Sequence, residues 1–444
     1  MQLPKLDRAL VGVLVLAFAL RTGWVLLALL DPSDGEYFDM IWYHVTALQI
    51  AAGNGVVRLD GTPTAVWPPL YPALLAPLYL ITDGSLLSGK LLNPFLGVLT
   101  TALVFDVGRR LADRRVGLFA AALFAACPDA ACPDDVFFSN FVMSEALFAA
   151  LLMTNVWLFS VLQGRRPEPG PPAWLGLGLA AGIATLTRGI ALAWLAVPIA
   201  IWLAAMRPLR AVARRAAWAL LGLALVIAPW TIRNLVVMDH PILVASSLGR
   251  TLAHAHSPYA TGGPSLKAFV YRNQIQKRFD HLPQPRMEVE LMREYTRLSL
   301  GYMLSHPGHE LRILPNRVRH LFQHGHSGLE IGRARLPSGE LKPFFGPLRR
   351  AAIAGFADLY FYALLLLGVL GLPRLFAGGD RTALVVPLGL GYFAFFHLMV
   401  FPADPRYHHP MLPLLALSAG ALLATFGPRR RGPGAVPGDG VQMR

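Results

Sequence analysis

Long apolar runs bounded by arginine constrain this chain more than any other feature. They lie at about 9–30, 91–108, 116–128, 140–162, 173–187, 189–206, 216–232, 351–373, 382–402 and 410–427. A helix rising 1.5 Å per residue needs about 20 apolar residues to cross a ~30 Å hydrocarbon core. The longer runs meet that length and the shorter ones approach it. The pattern predicts an all-α polytopic membrane protein with about 10–12 transmembrane helices. Composition agrees: 55% of residues are hydrophobic and 15% charged, against roughly 25% charged in soluble domains. The net charge of +14 would suggest nucleic acid in a soluble protein. Here the arginines flank apolar runs as topology signals, so no nucleic-acid partner is expected.

Basic residues set the orientation. With the N-terminus inside, the inner connections carry Lys5 and Arg8, Arg109, Arg110, Arg114 and Arg115, Arg165 and Arg166, Arg207 to Arg215, Arg374 and Arg381, and Arg429 to Arg431. The short outer connections carry Arg58, Lys90, Arg188 and Arg406. The positive-inside rule then places both termini in the cytoplasm, in a cell (inner) membrane. Residues 9–30 are too long for a signal-peptide core and lack a small-residue cleavage site, so they read as a retained span. The Pro-rich stretch 68–82 would invert every later loop if it crossed; it is expected as an interfacial or half-inserted helix. The expected organisation is an N-terminal transmembrane module over 1–236, containing a first extracytoplasmic loop at 31–90. An extracytoplasmic loop or cap follows over 237–349, then C-terminal helices over 350–428 and a disordered cytoplasmic tail at 429–444. Cys127 and Cys132 match no four-ligand metal pattern; a disulfide and two separate thiols remain equal readings.

This topology gathers Asp34, Glu36, Asp39, His44, Asp134, Asp135, Glu145, Arg188, Arg233, Arg406, His408 and His409 at or just under the outer surface. Arginine offers permanent, bidentate recognition of phosphate, and a carboxylate can serve as general base. The combination suits a substrate that carries a phosphate and a group to be deprotonated. Taken singly each has a plainer reading: Arg188 as a turn residue between spans, Glu145 as half of a local pair. Arg21, near the middle of the first span, is in a costly position and reads either as a lipid-phosphate contact or as a snorkelling side chain. His320, His324 and His326 read as a solvated helix face rather than a metal site.

The stretch DMIWYHVTALQIAAGNG (39–55), followed by GTPTAVWPPLYPALLAPLYLI, resembles the first extracytoplasmic loop of GT-C glycosyltransferases. Within them it resembles bacterial relatives of the dolichyl-phosphate-mannose–protein mannosyltransferases and the lipid A aminoarabinose transferases. MSEALF (143–148), GLAAGIATLTRG (178–189), APWTIRN (228–234), LSHPGHEL (304–311) and DPRYHHPMLPLLALSAG (404–420) follow in the same order. The resemblance implies a GT-C-like bundle that uses a polyprenyl-phosphate-linked sugar donor on the extracytoplasmic face. An acidic residue of the first loop is then the base that activates the acceptor. Spacing to Tyr43–His44 and Gly53–Gly55 selects Asp39 over Asp34 and Glu36. Trp67 stands where many relatives have an acidic residue or His, so a second carboxylate would come from Glu145 or from Asp134 and Asp135.

In this reading transfer is inverting. Arg406, with Arg233 or Arg188 and beside Tyr407, meets the lipid phosphate. His44, Trp67 and Tyr71 shape the substrate site, and the apolar spans hold the prenyl chain among membrane lipid. No cofactor is required, although hard oxygen ligands at Asp39, Asp134 or Glu145 would suit Mg2+ or Mn2+. The acceptor stays open between protein, lipid and polysaccharide. The rival classes are a transporter or lipid flippase, which would need polar residues through the membrane depth, and a non-catalytic subunit of the same fold.

Overall fold

The computed structural model describes residues 7–29, 38–126, 139–165, 167–205, 208–326, 329, 333–335, 341–343, 345–376 and 379–426. Asp34, Glu36, Asp134, Asp135, both cysteines and the tail at 429–444 lie outside these residues.

Among them, six helical segments are long and apolar enough to cross a membrane. Five are the helices α1 (Arg8–Leu29), α4 (Leu86–Leu111), α6 (Glu145–Gly164), α9 (Leu209–Met238) and α14 (Pro347–Leu375). The sixth joins a 3-10 turn at Arg381–Leu384 to α15 (Val385–Met399). The other expected spans are shorter. α5 (Arg114–Ala125), α7 (Pro171–Thr185) and α16 (Leu412–Leu423) have 12, 15 and 12 residues. The run at 189–206 breaks into a 3-10 turn, Gly189–Ala193, and α8 (Ala196–Ala204). The protein is a multi-pass, all-α membrane bundle with shorter apolar helices packed inside it.

Small residues set the spacing of that bundle. Gly178 and Gly222 let α7 and α9 meet backbone to backbone: a Cβ on Gly178 would lie 1.8 Å from the Ala219 carbonyl oxygen. Gly371 does the same for α14 against Ser418, and Gly420 brings α16 against Val116 and Ala120 of α5. Close approach through small residues is how membrane helices associate without a hydrophobic drive between them. α16 is apolar all round and almost fully buried, with Leu412, Leu414, Ala416, Leu417 and Ala419 at 0% exposure, as a central helix must be.

Within the first loop, α2 (Phe38–Ala51) and α3 (Leu70–Thr82) pack together through Tyr43, Tyr71 and Tyr79. At 13 residues α3 spans about 20 Å. That is shorter than the ~30 Å hydrocarbon core. Gly53 and Gly55, at φ 82° and 77°, turn the chain through the left-handed region after α2, which is why glycine stands at both positions. Residues 239–326 build a helical cap from α10 (Ser247–Ala255), α11 (Leu266–Lys277), α12 (Arg286–Ser305) and α13 (Pro307–Leu321), and two short strands, β1 (Arg333–Arg335) and β2 (Leu341–Pro343), pair antiparallel beyond it.

Candidate active site

Four element ends converge under the cap. Asp39 lies in the first turn of α2, and Glu145 opens α6. Both carboxylates therefore sit where the helix dipole favours negative charge. Arg188 precedes the 3-10 turn after α7, and Arg406 lies in the 3-10 segment Pro405–Met411 between α15 and α16. Arg406 Nη1 donates to Asp39 Oδ2 at 2.9 Å. Arg188 Nη1 lies 2.8 Å from Glu145 Oε1. Asp404 caps the 405–411 turn by accepting from the Arg406 backbone N–H at 3.0 Å. Arg406 Nη2 donates to the Tyr407 hydroxyl at 3.3 Å. The Tyr407 ring stacks on His397 at 4.8 Å, so both the backbone and the side chain of this turn are fixed.

Asp39, Glu145, Arg188, His397, Arg406 and Tyr407 line a cavity of about 690 Å³. Its walls are otherwise largely apolar: Trp67, Phe148, Ile190, Leu192, Leu243, Leu248 and Leu300 among them. Arg293, Thr296 and Arg297 of α12 add a polar edge from the cap. Tyr43 also lines the cavity and shares a hydrogen bond with Ser144 Oγ at 3.1 Å. Burial pushes its phenol well above the usual value, so Tyr43 is a neutral hydrogen-bonding group rather than a base. Glu145 is 4% exposed and its Oε2 has no hydrogen-bond partner. A buried carboxylate oxygen without a donor is costly and common where chemistry is done.

Of the residues singled out in the sequence, Asp39, Glu145, Arg188, Arg406, Tyr407, His409 and Trp67 line this cavity. Arg233, His44 and Tyr71 are not among its lining residues. Arg233 instead donates to the Val56 and Thr64 carbonyls at 2.5 and 2.9 Å and packs over Trp230, tying the first loop to α9. His44 pairs with the Tyr79 hydroxyl at 3.0 Å, joining α2 to α3. Tyr71 is fully buried edge-on against Tyr43. Arg21 neither snorkels nor faces a lipid headgroup. It is 0% exposed and donates to the carbonyls of Ala17 and Phe124, where α5 ends. His408 donates to the Leu321 carbonyl at 3.1 Å and stacks on Phe361. His326 binds Asp358 at 2.7 Å and stacks with His324, so this part of the histidine run packs on α14 rather than facing solvent.

Two contributors were not visible in the sequence. His397 joins the cavity wall through its stack on Tyr407. Glu288 of α12, 6% exposed, holds the first loop against the cap. It accepts from Thr64 Oγ1 at 2.8 Å, Ala65 N at 2.9 Å, Ser246 Oγ at 2.6 Å and the Arg58 guanidinium. Nothing in the local sequence of 286–305 distinguishes this carboxylate from the surface acids Glu290 and Glu294.

Among the described residues no group of three or more His, Cys, Asp or Glu side chains is placed to hold a metal ion. Mg2+ and Ca2+ are bound through several hard oxygen ligands, whereas Asp39 and Glu145 each already face a guanidinium. Asp134 and Asp135, the other carboxylates expected near such an ion, lie outside the described residues.

Fold and site together define a polytopic membrane protein with a largely apolar cavity edged by paired carboxylates and guanidinia, and the comparisons say what it is similar to. Residues 66–232 match the family model described as dolichyl-phosphate-mannose-protein mannosyltransferase. The archaeal oligosaccharyltransferase of Archaeoglobus fulgidus in its apo form is similar at a TM-score of 0.55 and 15% identity, covering 94% of this chain. The Archaeoglobus fulgidus oligosaccharyltransferase AglB in complex with an inhibitory peptide and a dolichol-phosphate is similar at a TM-score of 0.52 and 16% identity, again over 94% of this chain. The chain spans about half the length of these proteins, 50% in each comparison. No curated protein gives a significant match.

Proposed function

We propose that this chain is a membrane glycosyltransferase that moves a sugar from a polyprenyl-phosphate-linked donor to an acceptor on the extracytoplasmic face. One observation carries the reading: two carboxylate–guanidinium pairs, Asp39–Arg406 and Glu145–Arg188, share one wall of a mostly apolar cavity. The match to a family named for dolichyl-phosphate-mannose supports the donor class.

Arg406 would serve two partners in turn. Without donor its charge rests on Asp39. An arriving lipid phosphate offers more acceptor oxygens in a geometry the guanidinium fork matches, so Arg406 turns to it and releases Asp39 as a base. Asp39 then takes the proton of the acceptor. The acceptor atom attacks the anomeric carbon as the bond from that carbon to the phosphate oxygen breaks. Configuration inverts, and polyprenyl phosphate departs with the electron pair. The phosphate is a good leaving group and needs no general acid. Arg406 and Arg188 stabilise charge growing on it; losing one preorganised contact of this kind costs roughly 2.7–4 kcal/mol. Glu145 keeps Arg188 oriented, and the apolar wall takes the first prenyl units.

The test is release of polyprenyl phosphate by purified protein from donors carrying mannose, glucose or aminoarabinose, with Arg406→Gln as comparison. Release with at least one donor, lost in the variant, supports the reading. Inactivity on every donor, or ordinary activity in a correctly folded Arg406→Gln protein, overturns it.

A further inference from the structure

An imidazole carries both a donor and an acceptor, and leaving either unpaired away from water is costly. Buried histidines therefore spend a ring nitrogen on the protein. His256 meets Glu310 Oε2 at 3.0 Å and the Val400 carbonyl at 3.2 Å, and His408 donates to the Leu321 carbonyl at 3.1 Å. His397, in the last turn of α15 and 6% exposed, departs from this rule. Among the described residues it makes no hydrogen bond. Its Nδ1 is shut off from solvent without a partner, which leaves Nε2 as the nitrogen that can reach the cavity His397 lines.

The ring is held where it is. Tyr407 stacks on it with centroids 4.8 Å apart and planes 11° from parallel, and Phe401 packs against it at 5.7 Å. Tyr407 is fixed in turn to Arg406, whose Nη2 donates to the Tyr407 hydroxyl at 3.3 Å while Nη1 donates to Asp39 at 2.9 Å. The Tyr407 oxygen accepts in that bond, so its own proton is left for another acceptor, and among the described residues none takes it. A neutral imidazole carries its proton on one nitrogen only. On Nδ1 that proton would be enclosed with no acceptor; on Nε2 it can be used. His397, Tyr407 and Arg406 are thus three neighbouring donors, joined by a ring stack and a hydrogen bond, on the wall of one cavity.

We propose that His397 is a further binding residue for the donor, giving its Nε2–H to an oxygen of the lipid phosphate beside the Tyr407 hydroxyl and the Arg406 guanidinium. Three donors set side by side suit a group with several acceptor oxygens better than a single sugar hydroxyl. Hydrogen bonds to an ionised oxygen are the strong ones, and the stack on Tyr407 orients this one before the ligand arrives. That the phosphate belongs to a sugar donor rests on the glycosyltransferase reading; the contact with a prenyl-linked phosphate does not.

Binding of farnesyl phosphate, with farnesol as its control, to the detergent-purified full chain tests the contact by calorimetry. His397→Phe keeps a ring on Tyr407 and removes both nitrogens. It should weaken farnesyl phosphate roughly tenfold or more while farnesol binding and melting stay near wild type. His397→Gln, which offers an amide N–H, should bind farnesyl phosphate more tightly than His397→Phe. A wild type that binds both ligands equally, or a His397→Phe protein that keeps the full preference for the phosphate, overturns the proposal. Should His397→Phe fold poorly, the wild type decides: modification of His397 by diethyl pyrocarbonate, mapped by mass spectrometry, is expected to slow with farnesyl phosphate and not with farnesol. Equal rates with the two ligands overturn the contact. The two readings fail separately. Sugar release by the wild type, with undiminished phosphate preference in His397→Phe, removes His397 and keeps the transferase. Phosphate binding that depends on His397, without sugar release from any donor, removes the transferase and keeps the contact.

Discussion

An aspartate in the first turn of a helix is favoured by about 0.3–1 kcal/mol whether or not it does chemistry, and Asp39 holds that position in α2. Substitution by Asn separates the two roles. Asn keeps the shape and an oxygen for Arg406 but cannot take a proton at neutral pH. Asp39→Asn is expected to leave expression and detergent melting near wild type while transfer falls by about two orders of magnitude or more. Ordinary transfer in that variant would make Asp39 a structural partner of Arg406 and move the base to Glu145. The second pair behaves differently because Glu145 is 4% exposed. Removing one member of a buried pair typically costs about 3–5 kcal/mol, since the other charge stays behind. Arg188→Met should therefore melt well below wild type, and Glu145→Gln/Arg188→Met should recover most of the loss. A single variant as stable as wild type would show that the pair is hydrated in solution.

Among the elements, the cap is joined to the bundle by a polar cluster as well as by the apolar contact of Trp230 and Met238 with Ile242 and Val289. Arg317 of α13 donates to the Leu398 carbonyl at the end of α15 and to the Ala255 carbonyl at the end of α10, at 2.9 and 2.8 Å. It also donates to Glu310 at 2.8 Å, and Glu310 lies 3.0 Å from His256. Burial raises the Glu310 pKa, but His256 and Arg317 outweigh it, and the carboxyl sits below its usual value. A depressed acid contributes stability above its unfolded pKa of about 4.3 and loses it as pH falls through the folded value. Melting of the wild type should drop steeply below about pH 4. Glu310→Gln should melt lower at neutral pH and show a shallower acid-side fall; equal slopes would place the acid sensitivity elsewhere. α12 itself was legible as a helix from MEVELMREYTRLSLGYMLS. The role of Glu288 was not, because its donors at Thr64 and Ala65 are more than 220 residues away in sequence. The same blindness put Arg233 on the phosphate: a motif places a residue near a membrane face, but only packing decides whether its side chain turns to the cavity or to the Val56 and Thr64 carbonyls.

For the molecule as a whole, apolar runs were enough to identify an all-α membrane bundle, whereas span lengths were not. α5 and α16 are short and pack through glycine contacts against each other, and a hydropathy pattern does not distinguish a buried helix from one that crosses lipid. Orientation is the remaining expectation, and the fold links its parts. Asp7 before α1 pairs with Arg114 at 2.7 Å, so the start of the chain and the 109–115 turn share one face. Trp157 Nε1 donates to Asp106 at 2.8 Å near the same end. Arg381 donates to the Ala204 carbonyl, and Arg215 to Glu168, joining the other arginine-bearing turns in pairs. Asp39, Glu145, Arg188 and Arg406 gather at the cap instead. If the positive-inside rule governs insertion, the arginine turns are cytoplasmic and the cap with its cavity is outside. Single cysteines in a Cys127→Ser/Cys132→Ser background test this, placed at the exposed positions Asp60 and Lys267 and at the half-buried Arg115. An impermeant maleimide should label Asp60→Cys and Lys267→Cys in intact cells, and Arg115→Cys only after permeabilisation. The reverse pattern would put the cavity in the cytoplasm, out of reach of an extracytoplasmic donor sugar, and would end the mechanism drawn for Asp39.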